Sequence, residues 1–102
     1  MSANSITDTL AERGKRYGVF TGHAAITQDL KTCIKHHLGE RNKDLAPDQQ
    51  ESLDMICHKI GRIINGDENY DDSWVDSAGY AKLVADRLQQ EAGLNSQSNK
   101  TQ

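Results

Sequence analysis

Pro47-Asp-Gln-Gln-Glu51-Ser-Leu-Asp54-Met-Ile-Cys-His58-Lys59-Ile-Gly-Arg62-Ile-Ile64 is the stretch whose reading decides the fold. Leu53, Ile56, Cys57, Ile60, Ile63 and Ile64 recur at three- and four-residue spacing, which gathers them into one apolar stripe at the period of an α-helix. Pro47 suits the first turn, where its missing N–H costs no hydrogen bond, and Asn65-Gly66 ends the run. The spacing therefore predicts a helix over 47–64.

Upstream, Thr21 can cap a second helix running to Leu38, with Ile26, Leu30, Cys33, Ile34 and His37 or Leu38 on one face and Gly39 as its stop. A polar connection over 40–44 joins the two. Ser5 to Arg13 reads as a short helix on Ile6 and Leu10, closed by Gly14. Between them lies Gly14-Lys-Arg16-Tyr17-Gly-Val-Phe20, a glycine-rich loop whose cations and aromatics can meet a phosphate and a base, or can plug the end of a bundle.

Downstream, the acidic loop Asn65-Gly-Asp-Glu-Asn-Tyr-Asp71 leads to a helix from Ser73 to Glu91. Trp74, Ala78, Ala81, Val84, Ala85 and Leu88 form its expected core face. Val75, Gly79 and Leu83 lie opposite, and a helix apolar on two faces implies a partner chain, so the expectation is a homodimer or higher homo-oligomer. Residues 93–102 lack apolar pattern and read as a disordered tail behind a single helical domain over 1–92. The fold class expected is all-α, a small bundle of three to four helices completed by oligomerisation.

Composition agrees with one small domain. The chain has 102 residues, 35% of them hydrophobic, with a single Pro and only five aromatics, a mixture that favours helices over a sheet sandwich. The formal charge of −3, with no basic run beyond Lys15-Arg16, speaks against broad attraction to nucleic acid, whereas a single nucleotide needs only a few local cations. No apolar run reaches the length of a membrane span and no signal core is visible, so a cytoplasmic location is expected. Cys33 and Cys57, in no metal-binding spacing, read as reduced core side chains.

Asp72, Asp76 and Tyr80 recur at i, i+4 and i+8 on one side of the last helix. Two carboxylates one turn apart can share a divalent ion of the Mg²⁺ type, which prefers oxygen ligands, neutralises a triphosphate and activates water. Ser73-x-x-Asp76 equally resembles a capping box, and first-turn acids are favoured by the helix dipole. Glu51 and Asp54 stand three apart on the preceding helix, and Glu51, His58 and Arg62 fall along one line that faces either the aspartates or water. Lys59, at the border of the apolar stripe, can reach a phosphate or bridge to Asp76. The four histidines show no zinc spacing, and neither a nucleophile elbow nor a phosphate-binding glycine loop occurs.

Arg13-Gly-Lys-Arg-Tyr-Gly, then Lys59-Ile-Gly-Arg62-Ile, then Asp72-Ser-Trp-Val-Asp-Ser-Ala-Gly-Tyr, in that order, resemble a group of small uncharacterised phage and prophage proteins, over most of residues 12 to 90. That group is distantly similar to the MazG-like all-α nucleotide pyrophosphohydrolases. The resemblance implies a helical oligomer that holds Mg²⁺ with carboxylates of two helices and splits nucleoside triphosphates into monophosphate and pyrophosphate. It would make Glu51, Asp54, Asp72 and Asp76 the metal ligands, with Asp72 and Asp76 catalytic, and Arg16, Tyr17, Lys59, Arg62 and Tyr80 the nucleotide contacts. Ser73 stands where that family has a glutamate, and Asp72, one residue earlier, is the substitute. A protein that keeps the fold and loses a ligand can instead sequester a nucleotide, such as a defence signal in an infected host's cytoplasm, and a helical protein-interaction module is the third reading.

Overall fold

The computed structural model describes residues 3–100, and side chains over 5–94. Four helices follow one another: α1 (Ala3–Tyr17), α2 (Phe20–Glu40), α3 (Pro47–Asn65) and α4 (Asp72–Lys100). No strand is present among the described residues, so the chain is an all-α bundle as its periodicity predicts. The decisive stretch forms α3, with Pro47 in the first turn and the Ala46 N–H held by Gln49 Oε1 at 2.9 Å.

Helix α3 is the hub. α2 and α4 both pack on it and share no contact with each other among the described residues, while α1 leans on α2 and α3. The result is elongated rather than compact: the extents are 65 × 32 × 28 Å and the radius of gyration is 18.4 Å, against about 13 Å for a compact domain of 100 residues.

Local chemistry moves several boundaries. Gly14 lies inside α1, which continues to Tyr17, so the expected loop over 14–20 shrinks to Gly18 and Val19. Gly18, at φ +77°, makes this tight turn, and a Cβ there would collide with the Asn65 carbonyl oxygen. Asn65 in turn donates from Nδ2 to the carbonyls of Tyr17 at 2.9 Å and Val19 at 2.7 Å, clasping the turn to the end of α3. Val19, not Thr21, occupies the cap of α2, with no side-chain cap bond. Helix α4 runs past Glu91 to Lys100, and positions 101 and 102 of the expected tail lie outside the described residues.

The largest correction concerns α4. Asp72, Ser73, Asp76, Ser77, Tyr80, Val84 and Arg87 are its buried or half-buried positions, whereas Trp74, Ala78, Ala81, Ala85 and Leu88 are exposed, as are Val75, Gly79 and Leu83. The helix meets α3 through its polar edge. Lys59 Nζ pairs with Asp76 Oδ2 at 2.9 Å, Ser52 Oγ donates to the Tyr80 carbonyl at 3.2 Å, and Arg87 grips Asp48 with two nitrogens at 2.7 and 2.9 Å. Satisfying Lys59, which is only 7% exposed, dictates this register. Cys57 is buried as expected, but Cys33 is exposed.

Candidate functional site

The chemistry-bearing side chains converge where the C-terminus of α1 meets the C-terminus of α3 and the loop over 66–71. The tight turn at Gly18 and the Asn65 clasp bring these ends together. The loop is fastened to α1 by the Asp67 N–H, which donates to the Arg16 carbonyl at 2.7 Å. Tyr17, the last residue of α1, thereby points between α3 and the start of α4.

Two cation–aromatic stacks form there side by side. The Arg16 guanidinium lies 4.2 Å from the centroid of Tyr70, and that of Arg62 lies 4.2 Å from the centroid of Tyr17. The two tyrosine rings are themselves 6.1 Å apart and tilted by 54°. Stacking of this kind is worth about 0.5–1 kcal/mol per pair at an open site, and its use here is to hold two planar forks in place. Glu12 Oε1 accepts from Arg16 Nε at 3.1 Å. Tyr17 donates its hydroxyl to Asp72 Oδ2 at 3.3 Å. Burial pushes the Tyr17 hydroxyl above its ordinary range, Asp72 and Tyr70 adding to the rise and Arg62 opposing it.

A cleft of about 430 Å³ opens beside this array, lined by Asp8, Thr9, Glu12, Arg13, Arg16, Tyr17 and Tyr70. That is within the range of sites for small organic ligands, about 300–1,000 Å³. It combines guanidinium donors, two aromatic rings and two carboxylate acceptors, a set that can recognise phosphate, a flat base and ribose hydroxyls respectively.

The structure thus brings Arg16, Tyr17, Arg62 and Asp72 together. Lys59 and Asp76 sit further along the same α3–α4 seam, tied to one another. Tyr80 lies elsewhere, beside a shallow groove of about 540 Å³ formed along α4 with Val75, Asp76, Gly79 and Leu83. Asp54 faces α2, accepting from Gln50 Nε2 at 3.1 Å and lining a small cleft with Lys31 and Lys35. Glu51 is exposed. The four carboxylates therefore do not form one donor set in a single chain, and among the described residues no group of three or more His, Cys, Asp or Glu is placed to hold a metal ion.

Two contributors, Tyr70 and Asn65, escape a reading of the sequence. Tyr70 sits in an acidic loop without periodicity, and its nearness to Asp72 was the only signal. Asn65 reads as a helix stop but works as a clasp. His23 and His58 pack edge to face with ring centroids 4.4 Å apart, and His23 Nε2 contacts the His58 carbonyl at 2.9 Å. Burial, then the neighbouring His23, Arg62, Lys59 and Lys31, depress the His58 imidazole to about 4, so it is neutral at physiological pH.

The class so defined is a small all-helical protein with a corner lined by arginines, tyrosines and carboxylates. Its sequence matches the domain of unknown function DUF6378 over residues 2–88, and the chain belongs to that family. No curated protein and no solved structure matches it. Among the described residues, no helix is long and apolar enough to cross a membrane.

Proposed function

We propose that this protein binds a nucleotide through its phosphates at the α1–α3 corner and holds it without consuming it. The carrying observation is the double stack of Arg16 on Tyr70 and Arg62 on Tyr17 beside the cleft that Arg13 also lines. Fixed forks lose little freedom on meeting a phosphate, and an incoming anion competes with Glu12, the partner Arg16 already has. Tyrosine edges and the Asp8 and Glu12 carboxylates supply the remaining contacts. The reading carries with it kinship to MazG-like proteins and to proteins of phages, a cytoplasmic setting, and assembly into a homo-oligomer.

The second reading is the Mg²⁺-dependent pyrophosphohydrolase. Asp72 favours it, since among the described residues this carboxylate, at the edge of the array, is hydrogen-bonded only by the Tyr17 hydroxyl. Against it, Asp76 is committed to Lys59, Asp54 is turned toward α2, and Glu51 projects to solvent, so the donor set does not fit one metal in a single chain.

Incubation of the pure protein with a panel of nucleotides and Mg²⁺, followed by mass spectrometry of the supernatant and of the denatured protein fraction, separates the readings. The binder retains a chemically intact nucleotide. Release of monophosphate and pyrophosphate establishes the hydrolase in its place, and neither retention nor turnover leaves a protein-interaction module.

A further inference from the structure

We infer that the cleft between α2 and α3, lined by Lys31, Lys35, Leu38, Gln50 and Asp54, is a second binding site, suited to a small acidic α-amino acid of the aspartate and glutamate type. The cleft measures about 340 Å³, near the lower end of the range for organic ligands. Lys31 and Lys35 stand one helical turn apart on α2, and Gln50 and Asp54 stand one turn apart on α3. The α3 pair is tied together, Gln50 Nε2 donating to Asp54 Oδ1 at 3.1 Å. Leu38, a turn beyond Lys35, adds an apolar lining.

The charges of this cleft are unmatched within the chain. Lys31 and Asp54 are half-buried, and taking part of a charge out of water costs free energy that a partner offsets. Among the described residues neither Lys31 nor Lys35 makes an ion pair or a hydrogen bond, and Asp54 accepts only from the neutral Gln50. Lys31 and Asp54 nonetheless act on the same spot: burial and then Asp54 push the Cys57 thiol up, and Lys31 opposes them. Opposite charges that share a cleft without closing on each other leave room for a group between them.

Charge matching selects the ligand. Two ammonium groups against one carboxylate leave the lining with one positive charge in excess, so the complementary molecule carries two carboxylates and one ammonium, as an acidic α-amino acid does at neutral pH. Lysine binds as a point charge without a planar fork, and it selects by the number and sign of the charges it meets. At this spacing Lys31 and Lys35 have roughly 5–6 Å between their Cβ atoms, which suits two carboxylates joined by a short carbon chain whose methylenes meet Leu38. Asp54 and the Gln50 side-chain oxygen accept from the ammonium. A phosphate, or a dicarboxylate without an ammonium, meets the Asp54 charge as a like charge and is disfavoured.

Isothermal titration of L-aspartate and L-glutamate into the full-length protein tests the inference, independently of what the corner binds. Succinate and glutarate, which lack the ammonium, and inorganic phosphate are the controls. At least one of the two amino acids binds saturably, and every control binds about tenfold or more weakly, the worth of one charge-assisted contact. Lys35→Ala, at an exposed position, weakens the amino acid by a similar factor with helical circular dichroism retained, and Lys31→Met does the same. Asp54→Asn removes the preference for the amino acid over its ammonium-free analogue. Absence of saturable amino-acid binding overturns the inference, as does a control that binds as tightly as the amino acid, wild-type affinity in Lys35→Ala, or an undiminished preference in Asp54→Asn. Should Lys31→Met fail to fold, Lys35→Ala and the control ligands decide alone.

Discussion

The two seams that hold α3 are built from different chemistry. Against α2 the contact is close and makes no ion pair among the described residues: His23, Thr27 and Cys57 are buried, and Gly61 admits α2 so near that a Cβ would strike Thr27 Oγ1 and the His23 ring. Against α4 the contact is charged and clamped, through Lys59–Asp76 and the two-pronged Arg87–Asp48 pair. The Arg87 hydrogen bonds hold the Asp48 carboxyl below its usual range. The isoleucine stripe lies between the two, with Ile56, Ile60 and Ile63 half-buried and Ile64 exposed. The close seam should therefore depend on shape and resist added volume, whereas the clamped seam should depend on charge balance and accept isosteric apolar replacement.

The strongest way to break this contrast is Gly61→Ala. Added volume on the α2 side should cost about 3 kcal/mol, since overpacking a tight contact displaces both Thr27 and His23. Chemical denaturation reads it, and a loss under 1 kcal/mol would show that the α2 seam is loose.

On the clamped side Asp76→Asn leaves the buried Lys59 ammonium without its counter-charge. The expected loss is about 2 kcal/mol, below the range for a fully buried pair because Asp76 is half exposed. Lys59→Met, which removes the charge and its need together, should stay within about 1 kcal/mol of wild type. Equal losses in the two variants would contradict the charge-balance account.

Thr27 sharpens the α2 side in the other direction. Its Oγ1 is buried and has no hydrogen-bond partner. Thr27→Val keeps the shape and removes the desolvated hydroxyl, so it should raise stability by about 1 kcal/mol, measurable as a higher melting temperature. A lower one would mean that the hydroxyl is satisfied in solution.

The remaining effect is a pH dependence. His58 is depressed from 6.5 to about 4 in the folded chain, so between these values the unfolded state binds more protons and stability falls as pH falls. The contribution is fully present above about pH 6.5. His58→Phe keeps an aromatic ring beside His23 and should flatten the melting temperature between pH 6.5 and 4, while an unchanged acid limb would assign the dependence to other groups.

Helix α3 was legible in the sequence because Pro47 and six spaced apolar residues leave no other reading. The face α4 presents was not. A hydrophobic pattern assigns Trp74 and the alanines inward, but Lys59, placed on the border of the α3 stripe, had to find Asp76, and this pairing turned both apolar sectors outward. The same logic governs the site. Arg16, Tyr17, Arg62 and Asp72 were recognisable as cations, aromatics and acids near chain turns, and a short Gly18 turn brings them together. Asp54 and Glu51 were read on the same helix as Lys59, yet a helix face is chosen by its neighbours, and α2 took Asp54. Tyr70 lay in a loop where spacing carries no information.

The central claim is that the paired arginine–tyrosine stacks recognise phosphate. Isothermal titration of nucleoside mono-, di- and triphosphates into wild-type protein and Arg16→Ala, without added metal, tests it most directly. The account predicts saturable binding that tightens with phosphate number and weakens about tenfold to a hundredfold in Arg16→Ala, the worth of one charge-assisted contact. Absence of saturable heat, or equal affinity in both proteins, would contradict it.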